Sequence, residues 1–205
     1  MEPATTISAL PHPIARTDLP VDAVTMARWL IGKTLVHAHP EGAASGRIVE
    51  TEAYLAGDAS SHAFRGPTPR NRSMFLEHGH AYVYFIYGFW NCLNVVTAAE
   101  GVPHAVLIRA LEPVAGVGDT THGPGLLCRA MHIDRELNGT NLRQAPLWIE
   151  RPATYSRPRV ARSARIGVDY AGDWALKPWR FFDRDSPYVS TVSAARRKKA
   201  LKSSN

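Results

Sequence analysis

The spacing of apolar residues predicts two short helices in this chain. Apolar positions in 21–31 recur three to four residues apart, which is typical of a helix that packs one face on a core, and Gly32 is a suitable stop. A loop rich in glycine, proline and threonine covers 113–125. Within 126–131 the apolar residues again share one helical face, with Pro124 near the helix start. Both helices therefore need another layer to pack against.

Short segments rich in β-branched and aromatic residues predict that layer. Glycine, proline and asparagine separate the segments, as expected for strands of a mainly antiparallel sheet. The predicted strands are 35–37, 47–55, 81–87, 91–97, 105–111, 147–150, 165–168 and 179–182. A connection rich in proline and arginine spans 151–162. The pattern predicts a β-rich core.

The length and composition suit one globular domain. The 205 residues are 45% hydrophobic and 20% charged, which is enough for a full core. Residues 1–17, rich in proline, threonine and alanine without a period, are expected to form a loose arm before a domain at 18–190. A basic tail is expected at 191–205, and its run of arginine and lysine is interpreted as a solvated end.

The charge balance favours a polyanionic partner. The formal charge is +6, the isoelectric point is near 9.6, and the planar fork of arginine suits phosphate. Cys92 and Cys128 lie in apolar segments without zinc-site spacing, which predicts buried reduced thiols and a cytoplasmic protein. No apolar run approaches the roughly 20 residues that span a bilayer, so no membrane association is expected.

Strand 47–55 carries the first candidate for chemistry. Residues two apart share a strand face, so Glu50, Glu52 and Tyr54 point the same way. One glutamate could enter a cleft and activate water as a general base, and the spacing does not choose between the two. The alternative is a solvated polar face over an apolar core.

Strand 81–87 carries three tyrosines. Alternation puts Tyr82 and Tyr84 on one face, either in the core or as a binding platform. Gly88 allows a tight turn, which places Tyr87 near the tip of a hairpin. An exposed ring on a basic protein could wedge into a base stack.

The loop 61–72 between these strands is rigid and basic. It holds His62 and three arginines, Arg65, Arg70 and Arg72, which are suited to phosphate contacts and to lining a pocket mouth, although scattered surface charge is the alternative. The histidine pairs at 37/39 and 78/80 lack cysteine or carboxylate partners at ligand spacing. They are therefore interpreted as surface residues, and no metal site is expected.

Several motifs in order along most of the chain resemble those of the alkyladenine (3-methyladenine, methylpurine) DNA glycosylases. They are GRIVETEAYL at 46–55, SHAFRGPTPRNRSMF at 61–75, AYVYFIYGFWNCLN at 81–94, AVLIRALEP at 105–113, GPGLLCRAM at 123–131, ARIGVDYAGDWALKPWRFF at 164–182 and SPYVS at 186–190. The resemblance implies a single α+β domain with a curved, mainly antiparallel sheet and flanking short helices. The chain departs from that family at Leu126, where lysine is common, and in the short 113–123 linker.

The resemblance also implies a catalytic pair and a stacking pocket. Glu52 corresponds to the general base that activates water, and Arg109 corresponds to an arginine beside the base and the water. Tyr54 and Tyr84 correspond to rings that sandwich the extruded base, and His62 completes the pocket by hydrogen bonding to the purine edge.

Three further residues match family positions that select or extrude the base. Asn94 corresponds to a side chain that opposes the guanine amino group, and Val168 lies where a main-chain group faces the pocket. Tyr87 corresponds to the tyrosine that enters the minor groove and fills the gap left by the flipped nucleotide.

The resemblance implies a monomeric, monofunctional DNA glycosylase of base excision repair that needs no cofactor. Its partner would be double-stranded DNA containing alkylated adenine or guanine, hypoxanthine or ethenoadenine. Two alternatives stay open. One is a non-catalytic module of the same fold that binds nucleic acid or lesions, and the other is a carbohydrate hydrolase that uses Glu50 and Glu52.

Overall fold

The computed structural model describes residues 13–118, 120–152 and 157–190. Within these ranges the chain forms helices α1 (Ala23–Leu30) and α2 (Pro124–Ala130), together with nine strands. The strands are β1 (Thr34–His39), β2 (Gly42–Tyr54), β3 (Ala81–Ile86), β4 (Trp90–Thr97), β5 (His104–Ala115), β6 (Arg143–Gln144), β7 (Leu147–Glu150), β8 (Val160–Ser163) and β9 (Arg180–Asp183). Short 3₁₀ helices lie at Arg16–Asp18, Arg72–Phe75, Arg135–Leu137 and Asp169–Leu176.

The strands form one antiparallel sheet with β2 at its centre. Its order is β3-β4-β5-β2-β1-β7-β6, and β9 pairs with both β2 and β8. On one side β2 pairs with β5, while on the other side β1 pairs with its first half and β9 with Glu50–Glu52. Register shifts in the β2–β5 ladder flank Glu50. The fold is therefore the expected α+β domain with a curved antiparallel sheet.

Helix α1 packs on the sheet through its apolar stripe. Met26, Ala27 and Leu30 are fully buried, and the hydroxyl of Thr51 on β2 donates to the carbonyl of Ala27 over 2.7 Å. The side chain of Asp22 caps the helix by accepting from a backbone N–H of its first turn. The predicted helix is confirmed, although it is shorter at both ends.

Three predictions about local structure were wrong. Residues 165–168 form no strand, because Gly167 turns the chain with a φ of 79°. Strand β8 begins within the predicted connection 151–162 and pairs with β9. The loop predicted to begin at 113 starts later, because β5 continues to Ala115.

Two further differences concern the N-terminal segment and a histidine. The chain packs on the sheet from Pro13 onward rather than from 18, since Ile14 is buried and its N–H donates to the carbonyl of Ile149. Residues 1–12 and the predicted basic tail at 191–205 lie outside the described residues. His37, expected on the surface, is buried. The segment after α2 covers it, and its Nδ1 lies 2.7 Å from the carbonyl oxygen of Met131.

The two cysteines behave as the sequence predicted. Cys92 and Cys128 are buried and unpaired as thiols, and burial raises the pKa of each. In the part of the chain that the structure describes, no helix combines the length and hydropathy that crossing a bilayer requires.

We expect Gly116→Ala to reveal how closely the end of β5 approaches the β1–β2 turn. A Cβ at Gly116 would clash with the carbonyl oxygen of Ala43, whereas one at Gly57 would meet nothing within 4 Å. Both glycines have positive φ, 64° and 80°, so both alanine variants carry similar backbone strain of about 1 kcal/mol. The free energy of unfolding in urea should fall by about 1–3 kcal/mol more in Gly116→Ala than in Gly57→Ala, because the backbone at Ala43 must move to accommodate the new Cβ. Equal losses would contradict the close approach.

Candidate active site

A cavity of about 420 Å³ opens between strands β3 to β5, the start of α2 and the segment 166–170. This volume falls in the range of small-molecule sites. Seven of the candidate site residues line it, namely Tyr54, His62, Tyr84, Tyr87, Asn94, Arg109 and Val168. The fold thus collects into one site side chains that are spread over more than 100 residues of sequence.

Glu52 lies directly behind the cavity wall, with no exposed surface. The hydroxyl of Tyr54 donates to its Oε2 over 2.9 Å, and Nη1 of Arg109 donates to the same oxygen over 3.1 Å. The backbone N–H of Ile166 donates to Oε1 over 2.7 Å. All three partners line the cavity. Because a carboxylate oxygen offers about two lone-pair sites, Oε1 retains capacity for a water.

Glu50 is held differently, although it lies on the same strand face. Its Oε1 accepts from Nε of Arg180 over 2.6 Å, from Oγ of Ser190 over 2.8 Å and from Nε of Arg109 over 3.1 Å. Its Oε2 accepts from the N–H of Ser190 over 2.7 Å. These donors join β2 to β5, β9 and the segment after β9. The geometry therefore favours Glu50 as an anchor and Glu52 as the carboxylate next to the cavity.

Arg109 joins the two glutamates. Burial alone would lower the pKa of Arg109, but the carboxylates of Glu52 and Glu50 outweigh burial and raise that pKa above its ordinary value. The guanidinium thus stays charged beside the cavity. A fixed positive charge there can orient a carboxylate and stabilise developing negative charge.

Burial keeps the hydroxyl protons on three tyrosines of the cavity region, Tyr54, Tyr82 and Tyr84. Burial raises the pKa of Tyr54 well above its ordinary value, and the neighbouring Glu52 raises it further. Burial also raises the pKa of Tyr84, and it raises the pKa of Tyr82 to about 12. The rings of Tyr82 and Tyr84 lie 5.5 Å apart with a tilt of 32°. The predicted same-face pair is confirmed, with Tyr82 in the core and Tyr84 half-exposed.

His62 stands at the exposed rim of this aromatic group. Its ring meets Tyr84 edge to face with centroids 4.3 Å apart, and its Nδ1 lies 3.0 Å from the hydroxyl of Tyr82. Partial desolvation, assisted by the charge of Arg70, lowers the pKa of His62. At neutral pH the imidazole is therefore uncharged, with one nitrogen held by Tyr82.

Asn94 and Val168 lie on different sides of the cavity. The side-chain amide of Asn94 donates to the carbonyl of Tyr82 across the β3–β4 ladder over 3.1 Å, which holds it in a single orientation. Val168 is buried, and its carbonyl accepts from the N–H of Ala171 at the start of a 3₁₀ helix. Both residues are well placed to restrict what enters.

Tyr87 sits at the tip of the β3–β4 hairpin, where the sequence predicted it. Its side chain is 73% exposed and its φ is 55°, a left-handed conformation that bulky residues rarely adopt. The next residue, Gly88, also has positive φ. A large ring held outward at a strained turn beside a cavity indicates a role in contact with a partner.

The arginines of loop 61–72 lie on the surface. Arg65, Arg70 and Arg72 are exposed, and Nη2 of Arg70 donates to the carbonyl of Phe85 on β3, which fixes the loop to the tyrosine hairpin. The cationic groups of this loop are thus available on the side of the molecule that carries the hairpin.

Arg165 is a site residue that sequence reasoning missed. Its guanidinium lies 4.7 Å from the ring centroid of Tyr54 and 5.2 Å from that of Trp179. It also donates to the carboxylate of Asp58 and to the carbonyl of Ala53, and both charged side chains have no exposed surface. Arg165 therefore occupies one face of Tyr54 and fixes its ring. The sequence offered one signal for this role, namely a charged residue at the start of the predicted strand 165–168.

None of the cavity-lining side chains in the described residues joins a group of metal-ligating residues. A group of possible metal ligands, His39, Glu41 and His132, lies elsewhere, and none of the three lines the cavity. Spacing along the chain missed this cluster, because one histidine comes from a distant segment.

The methylpurine-DNA glycosylase family model matches residues 17–187. Similar proteins carry the name "Putative 3-methyladenine DNA glycosylase". One from Mesorhizobium japonicum is 48% identical over 191 residues, which cover 87% of this chain and 90% of the relative. One from Methanocella arvoryzae is 49% identical, and the match covers 80% of this chain and 89% of the relative. One from Anaeromyxobacter dehalogenans is 52% identical, and the match covers 82% of each chain.

We expect Glu50→Gln to destabilise the fold strongly. The change removes one of the carboxylates that balance two buried guanidiniums, and breaking a buried pair costs about 3–5 kcal/mol. The matched control is Glu112→Gln, because Glu112 pairs with Arg47 but its side chain is 35% exposed. That partly exposed pair should contribute less, about 1 kcal/mol. Similar unfolding free energies in urea for the two variants would contradict the anchoring role of Glu50.

Proposed function

The chain belongs to the methylpurine-DNA glycosylase family, and we propose that it flips damaged purines out of duplex DNA into the aromatic cavity. As a DNA glycosylase it is a hydrolase of N-glycosyl bonds that serves base excision repair. The lesions proposed are alkylated adenine and guanine, hypoxanthine and ethenoadenine. One observation carries the proposal: a buried carboxylate, Glu52, is held by three groups that line a cavity with an exposed tyrosine at its mouth.

Flipping follows from where the reaction takes place. The glycosidic bond of a stacked, paired purine is out of reach of Glu52, which has no exposed surface. The enzyme must therefore extrude the nucleotide, at a cost of about a few kcal/mol that is smallest for damaged or mispaired bases. Selection of damaged purines can begin at this step.

The extruded base would stack on Tyr54 and Tyr84. Arg165 covers one face of Tyr54, so the base would use the opposite face. Stacking of a base on an aromatic side chain is worth about 1–3 kcal/mol, and a cationic alkylpurine gains a further cation–π contribution of about 0.5–2 kcal/mol. The neutral imidazole of His62 can hydrogen-bond to the purine edge, because its lowered pKa leaves one nitrogen without a proton.

Glu52 is proposed as the general base. Its Oε1 would accept a proton from a water that attacks the anomeric carbon, while Arg109 and Tyr54 hold Oε2. The transition state resembles an oxocarbenium ion, and the negative carboxylate nearby would stabilise its positive charge. A cationic alkylpurine leaves readily, whereas hypoxanthine and ethenoadenine also need protonation as they leave.

Selection against undamaged bases is assigned to the cavity walls. Asn94 is held in one orientation by the carbonyl of Tyr82, so its side chain would oppose the exocyclic amino group of guanine. Val168 would face the base with a main-chain group. Tyr87 would enter the minor groove and fill the vacated space. Arg65, Arg70 and Arg72 would contact DNA phosphates.

The proposed reaction is monofunctional, proceeds without a cofactor and uses one subunit. No lysine is found among the described residues that line the cavity. Lys177 belongs to one of the motifs shared with the family, but it is exposed and does not line the cavity. A Schiff base with the sugar would need an amine at the cavity. All proposed catalytic groups also come from one chain.

The alternative is a module of the same fold that binds nucleic acid or lesions without turnover. The buried position of Glu52 is compatible with a structural carboxylate, as in Glu50. The two functions differ in whether a free base is produced and in whether Glu52 is needed.

We expect Glu52→Gln to abolish base release while lesion binding persists. Gln cannot accept the proton of water, so the single-turnover rate should fall by about 10²–10⁴-fold on duplexes containing hypoxanthine, ethenoadenine or 3-methyladenine. Glu50→Gln, assayed where it is folded, is the matched control and should retain most of the rate. A rate in Glu52→Gln within twofold of wild type would reject Glu52 as the base. Lesion binding without any release by wild type would establish the binding module.

We expect Tyr87→Ala to slow flipping and release. Loss of the ring removes a stacking contribution of about 1–3 kcal/mol, which corresponds to roughly fivefold or more in the single-turnover rate. Tyr87→Phe keeps the ring and should act like wild type. Fluorescence of 2-aminopurine next to the lesion reports flipping directly. Unchanged flipping in Tyr87→Ala would contradict the wedge assignment.

A further inference from the structure

A second cluster of chemically active side chains lies away from the cavity, and its three members are His39, Glu41 and His132. One ligand atom from each lies within 4.8 Å of the others. The rings of His39 and His132 are nearly parallel, with centroids 4.2 Å apart. His132 and Glu41 are exposed and His39 is half-buried, so a solute ion can reach the cluster.

Two tight turns bring these residues together. His39 ends β1 and pairs with Gly42, so Glu41 lies in the two-residue turn to β2. His132 follows α2, where the N–H of His132 bonds to the carbonyl of Arg129 and the N–H of Ile133 bonds to that of Cys128. This hydrogen-bond pattern is the Schellman motif that ends a helix.

The conformation of His132 is unusual for its position. Its φ is 55°, a left-handed value that glycine adopts freely and that is most often filled by glycine at the end of a helix. A histidine there carries strain that glycine would avoid. Strain retained by a side chain that meets another histidine points to a use for that side chain.

A third histidine supports the arrangement from beneath. The buried His37 lies two residues before His39, and its Nδ1 is 2.7 Å from the carbonyl oxygen of Met131, which precedes His132. The contact fixes the end of β1 against the end of α2. Two potential ligands on different segments are thus held next to one another before any ion binds, which reduces the ordering that binding would require.

Two imidazoles and a carboxylate form a donor set suited to zinc and its neighbours. Ligand atoms around a tetrahedral zinc lie about 3.4 Å apart, because each bond is about 2.0–2.1 Å long. Small rotations of exposed side chains would close the present separation. We propose that His39, Glu41 and His132 bind one divalent transition-metal ion of the zinc class, with water completing its coordination.

The ion would link the β1–β2 turn to the end of α2. The start of the same helix, at Gly123–Leu126, lines the cavity. Bound metal would therefore stabilise the placement of one cavity wall, while the proposed base, Glu52, takes no part in binding it. Metal binding and base release are separable properties, so failure of either would leave the other intact.

The test uses the full chain without an affinity tag, freed of metal by chelation and titrated calorimetrically with zinc chloride. Wild type should bind one ion per chain. His39→Ala and His132→Gly should each weaken binding by roughly tenfold or more, since even residues behind a metal ligand cost that much. His78→Ala, a histidine outside the cluster, should bind zinc within twofold of wild type. Cobalt(II) should give visible absorption bands in wild type that the two ligand variants lose.

Unfolding in urea, with and without zinc, distinguishes a metal ligand from a residue that has only a structural role. Metal-free His132→Gly should unfold at the same or a higher urea concentration than wild type, because glycine suits the left-handed position. Zinc should raise the unfolding midpoint of wild type more than that of His132→Gly, in line with the weaker binding by the variant. Equal zinc affinity in wild type, His39→Ala and His132→Gly, or no saturable binding by wild type, would overturn the proposal.

Discussion

The mutual neutralisation of buried charges is the constraint on which the fold and the site both depend. Three carboxylates and three guanidiniums are buried near the cavity, namely Glu50, Glu52, Asp58, Arg109, Arg165 and Arg180. An isolated buried ion costs several kcal/mol even after relaxation. Each of these ions is therefore bonded to a partner of opposite sign. The pairs join β2, β5, β9 and the segments after β2 and β8, so the backbone around the cavity can pack in few other ways.

Local chemistry was enough to predict much of this arrangement. Apolar spacing located both helices, β-branched and aromatic content between turn residues located β2 to β5, and the glycine after Tyr87 located the hairpin tip. The choice between Glu50 and Glu52 was out of reach, because both lie on one face of β2. They differ through Ser190 and Ile166, which are 140 and 114 residues further along the chain. Only the folded chain brings such partners to a carboxylate.

Distant partners also explain what was wrong or missed. Arg165 has the setting of a strand residue in the sequence, but its guanidinium turns inward to Asp58, 107 residues earlier. His37 looks like a surface histidine until Met131, 94 residues later, covers it. The same packing brings His132 against His39. Patterns of two or four residues carry no information on such pairings. Motif resemblance therefore indicated the residues of the cavity, while the ion pairs of Arg165 and Arg180 and the histidine cluster remained hidden.

The balance of buried charge also bears on which lesions the cavity accepts. The three carboxylates offset the three guanidiniums in formal charge, so the effect of the network on a bound base depends on which charges lie nearest to it. Arg165 behind Tyr54 opposes a cationic purine on the other face, while Glu52 favours one. In the proposed reaction, selectivity among lesions would then rest on the strength of the glycosidic bond, on stacking and on the shape set by Asn94. A network with this balance would suit the proposed acceptance of both cationic alkylpurines and neutral bases such as hypoxanthine.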